Sequence, residues 1–303
     1  MPASTSSPIL VAGASGQLGG TVVRLLLAEG FPVRALARRL EPLRPLADLG
    51  AEIVASDLRD AGGVRQACDG AAQVVSTANN VQGSGASSPT RVDVEAYRSL
   101  ARAASDARVS RWLHVSARGL TAESVVDYFR VKYQVDEVVR ESGVPWVLLQ
   151  PTAFMEVWID LILAKPMREK GEAMLFGDGN QRANYIAVDD VAHVAVAILK
   201  RPEVRNEAIE IGGPSNVSMR TLVDLLERAM GITVKRKTVP MAVLRLVPPL
   251  LRPFNEVVAR MMTFGAFAAG SDASFPQWRT AAERFGVTPR SVEAFIAERF
   301  GGT

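Results

Sequence analysis

"ILVAGASGQLGG", residues 9–20, decides the fold: an apolar run of strand character meets glycines at 13, 16 and 19 and then turns helical. Gly13 permits a tight turn, Gly16 lets the backbone approach a pyrophosphate, and Gly19 lets the helix pack closely on the strand before it. The helix N-terminus adds free N–H groups and a positive partial charge for phosphates. A glycine trio alone carries little; a strand before it and a helix after it, near the start of the chain, make it a dinucleotide-binding pattern. Ser15, Gln17 and Leu18, between the glycines, belong to the same expected cofactor-binding set.

Outward from this turn, short apolar runs alternate with helical patterns. Strands are predicted over 8–13, 32–38, 51–57, 72–78, 111–117, 145–151 and 207–213, and helices over about 17–29, 61–69, 92–107, 122–142 and 189–200. Most strand candidates are continuously apolar, as expected where both faces of a sheet are covered. Strand then helix, repeated, implies right-handed crossovers and a parallel sheet. The expected fold is α/β, a doubly wound parallel Rossmann sheet with a smaller, mainly helical C-terminal substrate subdomain. The rhythm breaks after about residue 153, so 1–153 and 182–213 are assigned to the NADP-binding domain, and 154–181 and 214–303 to the substrate subdomain. Residues 154–181 read as helix-like plus a turn, "FGDGN". A further helix opens at Ser218 as N-cap and closes at Gly231. It is followed by a basic strand-like "TVKRKTV", the proline-broken apolar "VPMAVLRLVPPLL" and a terminal amphipathic helix. Residues 79–90 read as a small-residue loop.

Composition narrows the function classes. The 303 residues are 48% hydrophobic and 22% charged, ordinary for a globular protein of one or two domains. The net charge of +3 comes from 35 basic and 32 acidic residues spread along the chain, which is no nucleic-acid footprint. The single cysteine, Cys68, excludes an internal disulfide and a cysteine-based zinc site, and reads as a small buried hydrophobe. "MPASTSSP" lacks the character of a signal peptide, and no apolar run approaches the ~18 residues of a membrane span. A reducing, cytoplasmic setting with no membrane and no nucleic-acid partner is expected.

The end of the second strand selects the cofactor. An NAD-selective site places an acid there for the ribose hydroxyls; "VRALARRLE" offers Arg38 and Arg39 instead. Guanidinium groups suit a 2′-phosphate, which favours NADP(H); alternatively both arginines only solvate the strand end. Asp57, closing the third strand, either contacts the adenine edge, with Leu58 beside it, or caps the next turn. Thr77, Ala78 and Asn79, after the fourth strand, complete this part of the expected site.

The strings "VAGASGQLGG", "VRALAR", "LGAEIVASDLRD", "RWLHVSA", "GVPWVLLQPTAFME" and "YIAVDDVAHVAVAIL", in this order, resemble the NmrA-like, atypical branch of the short-chain dehydrogenase/reductases over about residues 8–230. The resemblance implies a Rossmann domain for NAD(P)(H) and a small C-terminal lobe for substrate. Family activities include quinone, enone and carbonyl reduction; some members only sense the dinucleotide or assist assembly. It also implies that Pro151, Thr152 and Phe154 line the nicotinamide side.

Family reductases use a Tyr-x-x-x-Lys pair with a hydroxyl after the fifth strand, here Tyr128, Lys132 and Ser116. Carbonyl reduction needs a proton for the oxygen, and a free tyrosine, with pKa ≈ 10, is a poor acid–base partner at neutral pH. An ammonium one helical turn away favours the phenolate, and Lys132 can also bond the nicotinamide ribose. Ser116 can hold the substrate oxygen where charge develops. On the other side, Val131, Val135, Val138 and Val139 form the core stripe of that helix, and its edge is where a tyrosine and a snorkelling lysine are common. His114 reads as core, His193 as helical, and no metal site is expected; Asp189 reads as an N-cap. Trp158, Tyr185 and the aromatics of 261–267 read as core or pocket wall. The expected function is NADP(H)-dependent reduction of a small, largely apolar carbonyl, quinone or enone by a monomer or homodimer. The alternative is a dinucleotide-binding sensor or accessory protein without turnover, using the apolar 240–267 segment as a partner surface.

Overall fold

A computed structural model describes residues 7–79 and 89–301. Residues 1–6 of the N-terminal stretch and 80–88 of the predicted small-residue loop lie outside the described residues. The strands are β1 (Ile9–Ala12), β2 (Val33–Ala37), β3 (Glu52–Ala55), β4 (Gln73–Ser76), β5 (Trp112–Val115), β6 (Trp146–Pro151), β7 (Ala153–Phe154), β8 (Glu172–Phe176), β9 (Arg182–Ile186), β10 (Glu207–Ile211), β11 (Asn216–Ser218) and β12 (Lys235–Val239). The α-helices are α1 (Gln17–Ala28), α2 (Arg44–Asp48), α3 (Ala61–Cys68), α4 (Pro89–Asp106), α5 (Asp127–Arg140), α6 (Lys165–Lys170), α7 (Val188–Leu199), α8 (Met219–Met230), α9 (Met241–Leu251), α10 (Glu256–Gly270), α11 (Arg279–Phe285) and α12 (Val292–Phe300).

Seven strands form one parallel sheet in the order β10-β6-β5-β4-β1-β2-β3. Chain direction along the sheet reverses beside β1, whose neighbours are β2 and β4. In open α/β sheets a ligand crevice forms at the carboxyl ends of the strands flanking such a switch point. The continuously apolar strands are buried as their composition demands: β1 and β5 are buried at every position. Leu10, Val74, Trp112 and Leu148 pack with Leu100 and Tyr97 of α4 and Val135 and Val139 of α5. Cys68 sits in this core, and burial pushes its thiol up to about 12, so it behaves as an inert hydrophobe.

The chain divides into two compact units. The first gathers residues up to 122, 128–150 and 191–209; the second gathers 123–127, 151–190 and residues from 210 onward. Residues 182–190, assigned above to the dinucleotide domain, group with the second unit because β9 pairs with β7 and β11 in a separate three-stranded sheet. The second unit has its own core, in which Trp158, Tyr185, Phe295 and Leu222 are buried. Trp158 lies 6.3 Å from Tyr185 and 5.5 Å from Phe264, ring centroid to centroid, so these aromatics pack as core.

Three readings of this region change. The helix-like stretch 154–181 resolves into β7, a π-helical segment Glu156–Ala164, α6 and β8. "EAMLF" is rich in helix formers, and it becomes a strand because it pairs in parallel with the basic β12, where Lys237 bridges Glu172 at 2.7 Å. The proline-broken segment is helical as α9, running through Pro248 and Pro249, each of which removes one i→i−4 hydrogen bond. Asp189 stands inside the first turn of α7, and the helix's first N–H, from Val188, is taken by both oxygens of the buried Glu156 carboxylate. The reading of α8 holds: Ser218 Oγ accepts the Thr221 N–H at 3.2 Å, and Gly231 ends the helix at φ 64°.

At the centre of the first unit, α1 lies so close to β1 that only glycine fits. A Cβ on Gly19 would overlap the Gly13 carbonyl and stand 2.8 Å from Thr77 Oγ1. Gly19→Ala is expected to lower unfolding free energy by about 1–3 kcal/mol in urea titration, the usual cost of overpacking.

Candidate active site

A pocket opens over the carboxyl ends of β1–β4. Gly13, Ser15 and Gly16 contribute its first wall. Arg38 stands after β2, Asp57 and Leu58 after β3, and Thr77, Ala78 and Asn79 after β4. Asp93, Ala96 and Tyr97 of α4 close it. Tyr97 donates its hydroxyl proton to the Ala78 carbonyl at 2.7 Å, which fixes the loop after β4 against the helix.

The glycines do different work. Gly13 has φ +94°, and a Cβ there would meet Ala78 N at 2.6 Å, so the turn itself requires glycine. Gly16 has φ −80°, which any residue adopts, and its Cβ would meet nothing nearer than the Gly13 carbonyl at 3.4 Å. The protein's own packing does not need glycine at 16, but a ligand approaching the backbone there would. Gly16 caps α1 without a side-chain hydrogen bond, and the first turn carries no acid. Amide donors and the positive helix end therefore face the pocket with no carboxylate of the helix's own first turn to occupy them, and these residues fit a dinucleotide pyrophosphate.

The charges on the rim are sorted by pairing. Asp57 accepts from the Arg59 backbone N–H at 2.9 Å and from its guanidinium at 3.0 and 2.9 Å. The side-chain bond from Arg59 holds the carboxyl below its usual range, so Asp57 does cap the turn while also lining the pocket. Arg59, a pocket residue the sequence reading missed, is thereby engaged. Arg38 is exposed and forms no ion pair among the described residues, which leaves its guanidinium available to an anion. Arg39 is exposed and does not line the pocket.

Behind the pocket lies a buried polar cluster. Trp112 Nε1–H donates to Ser76 Oγ at 2.8 Å, and Ser76 Oγ meets His114 Nδ1 at 2.8 Å. Burial holds His114 neutral, well below its ordinary pKa, and the Lys132 charge adds to the effect. His114 Nε2 faces Asp136 Oδ1 at 3.6 Å, and neither atom has a hydrogen-bond partner among the described residues. Asp136 Oδ2 accepts the Ser116 hydroxyl proton at 2.7 Å. Burial raises the Asp136 carboxyl to about 6, opposed by the Ser116 bond and by Lys132.

Tyr128 and Lys132 lie one turn apart on α5, with Nζ 5.9 Å from the tyrosine ring centroid. Both are half-buried. Burial lowers the Lys132 pKa, while Asp136 and then Asp93 hold its charge. Asp93 and Tyr97 line the pocket, and the Asp93 carboxylate helps hold the charge of Lys132.

The other predicted residues are placed elsewhere. Gln17, Leu18 and Gly19 lie in the first turn of α1 and do not line the pocket surface. Pro151, Thr152 and Phe154 belong to the second unit: Thr152 donates to Asn184 Oδ1 at 2.9 Å and Phe154 pairs with Ile186. His193 is exposed, and among the described residues no group of His, Cys, Asp and Glu could hold a metal. Asp136 and Asp93 were missed. The signal for Asp136 was an acid one turn beyond Lys132 on the buried side of the helix; Asp93 had no sequence signal. No helix among the described residues is long and apolar enough to cross a membrane.

The chain matches the NmrA-like family over residues 5–296 and belongs to it. It is 32% identical over 228 residues, 75% of each protein, to an NAD(P)H azoreductase of Xenophilus azovorans. It is 24% identical to a photosystem II assembly factor of Synechocystis sp., over 97% of this chain and 90% of the relative. In three dimensions it is similar to an NADPH-dependent quinone oxidoreductase of Escherichia coli solved with NADPH, with a TM-score of 0.79 at 18% identity over 96% and 99% of the two chains. At that identity the likeness is one of fold.

Gly16→Ala separates ligand from fold. It is expected to change stability by no more than about 1 kcal/mol, while weakening dinucleotide binding at least tenfold by fluorescence titration.

Proposed function

We propose that the chain is an NADP(H)-dependent reductase that adds hydrogen to a small, largely apolar carbonyl, quinone or enone. The observation that carries this reading is the glycine-only turn that opens the α1 N-terminus onto the pocket, together with Tyr128 and Lys132 one turn apart on α5, Nζ 5.9 Å from the ring centroid. Reductases among the relatives, the azoreductase at 32% identity foremost, support it.

In this reading Gly13 and Gly16 admit the pyrophosphate to the N-terminus of α1, Arg38 takes the 2′-phosphate, and Asp57 and Leu58 border the adenine. Bound NADPH supplies the hydride. Lys132 holds the nicotinamide ribose and keeps a positive charge beside the Tyr128 ring, lowering the cost of the phenolate. Tyr128 then gives its proton to the substrate oxygen as the hydride reaches carbon, so charge balances within the step. Ser116 serves the site through its contact with Asp136, since a hydroxyl donating to that carboxylate has only its lone pairs to offer elsewhere.

A second reading, a dinucleotide-binding accessory protein, is favoured by one observation. Leu246, Leu250 and Phe254 in and after α9 are 71, 73 and 88% exposed, an apolar face suited to a partner. An assembly factor among the relatives supports it.

NADPH consumption against quinones, enones and aldehydes separates the readings. Tyr128→Phe is expected to lose 10²–10⁴-fold, in the range of acid–base assistance, with NADPH still bound. Equal inertness of both proteins, with binding intact, removes the reductase reading. Arg38→Ala is expected to weaken NADPH binding roughly 10–100-fold, as loss of charged hydrogen bonds does, and to leave NADH binding unchanged. Unchanged NADPH affinity removes the 2′-phosphate role.

A further inference from the structure

We infer that Asp136 is a positioning residue for Ser116: its carboxylate takes the hydroxyl proton, so Ser116 meets the bound molecule as a hydrogen-bond acceptor and leaves the reacting oxygen to Tyr128. The inference deepens the reductase reading, on which its kinetic part rests; the direction of the Ser116–Asp136 bond stands apart from that reading.

Ser116 follows β5 at the carboxyl edge of the sheet. Its amide donates to the Leu149 carbonyl of β6 at 2.8 Å. On the other side, the register that sets Ser76 beside His114, carried two residues on, sets the pocket residue Ala78 beside Ser116. Ser116 is 5% exposed, so its hydroxyl needs partners in the protein or in a bound molecule. Among the described residues Oγ has one, Asp136 Oδ2 at 2.7 Å, and Asp136 is itself 1% exposed. Ser76, on the neighbouring strand, gives the contrast: its Oγ meets both Trp112 Nε1 and His114 Nδ1 at 2.8 Å.

The direction of the bond follows from the proton count. A hydroxyl has one proton, and a carboxylate has none to give. Burial raises the Asp136 titration to about 6, and the bond from Ser116 is the first of the groups that oppose burial, ahead of Lys132, Arg140 and Gln150. At neutral pH the acid is therefore ionised and Ser116 is the donor. His114 faces the other carboxylate oxygen at 3.6 Å and is held neutral by burial, so it brings no second cation. A charge-assisted bond is roughly twice as strong as a neutral one, and a substrate carbonyl does not draw the Ser116 proton away from it.

What Ser116 has left to offer is its lone pairs. They suit an N–H or O–H group of the bound dinucleotide or substrate. They do not suit a carbonyl oxygen gaining negative charge, which needs a donor. The hydroxyl expected to hold that oxygen is thus turned round by an acid two strand-and-helix elements away in sequence, and the proton for the reacting oxygen comes from Tyr128. A contact equal in ground and transition states changes binding and leaves the chemical step alone.

The bond's direction is read from the Asp136 carboxyl by NMR titration of ¹³C-aspartate-labelled full-length protein. Its resonance is the one that titrates near 6, checked by its loss in Asp136→Asn. Ser116→Ala removes a donor from the carboxylate and is expected to move that titration up by about half a pH unit or more. Ser116→Thr keeps the hydroxyl and is expected to hold the wild-type value. A downward move in Ser116→Ala, or none, overturns the inference, since the carboxyl would then be the donor or the bond absent. An equal upward move in Ser116→Thr overturns it as an effect of packing. In turnover, Ser116→Ala is expected to raise KM by about 2–10-fold, the worth of one neutral hydrogen bond. A loss of roughly 10²-fold or more in kcat is the result of removing an oxyanion donor and overturns the acceptor role. Asp136→Asn is expected to raise KM similarly, and the double variant no further than the larger single change, because Asp136 acts through Ser116; additive losses overturn that dependence. If Asp136→Asn does not fold, the two Ser116 variants decide. A wild type without turnover removes the reductase reading, while the carboxyl titration still decides the direction of the bond.

Discussion

The close approach of α1 to β1 is the constraint on which the rest of the site depends. Gly19 and Gly13 meet backbone to backbone, and Gly13 in turn abuts Ala78 and Thr77 at the end of β4. Three elements are thereby drawn to one point, the sheet's switch point, with the amide-rich end of α1 directed over it. Any side chain at 13 or 19 would separate them, and the pocket would lose its floor. A phosphate site made from backbone alone needs this proximity, because it has no long side chain to bridge a gap.

Around that floor the protein arranges charge by pairing. Asp57 and Arg59 pair at the end of β3, while Arg38 on the adjacent rim forms no ion pair among the described residues. Behind the floor the balance is tighter. Trp112, Ser76, His114, Asp136 and Ser116 are all nine-tenths or more buried, and their polar atoms are satisfied in sequence except where His114 and Asp136 face each other. Asp136 of α5 is tied to the end of β5 through the hydroxyl of Ser116.

The second unit shows where local signals mislead. "EAMLF" contains good helix formers and becomes β8 because β12 offers it a complementary edge. "VLRLVPPLL" carries two prolines that each remove an i→i−4 donor, and it is nonetheless helical as α9, packed along α10. Glu156, an acid in a π-helical segment, caps α7, thirty-two residues later, in place of the nearby Asp189. In each case a partner distant in sequence overrides propensity.

The sequence by itself determined the alternation of strands and helices, the glycine turn, the arginines after β2, the caps of α8 and the Tyr128–Lys132 spacing. These are local: an apolar run, a backbone conformation or a helical turn is written within a few residues. Tertiary structure alone decided that Arg59 engages Asp57, that Tyr97 and Asp93 wall the pocket, and that Ser116 donates to Asp136. It also decided that 182–190 join the second unit, because β9 finds its partners there. Charges and hydrogen bonds act over a few ångströms regardless of separation along the chain, so which ions are paired, which stay available and which are kept charged is settled only when distant segments meet.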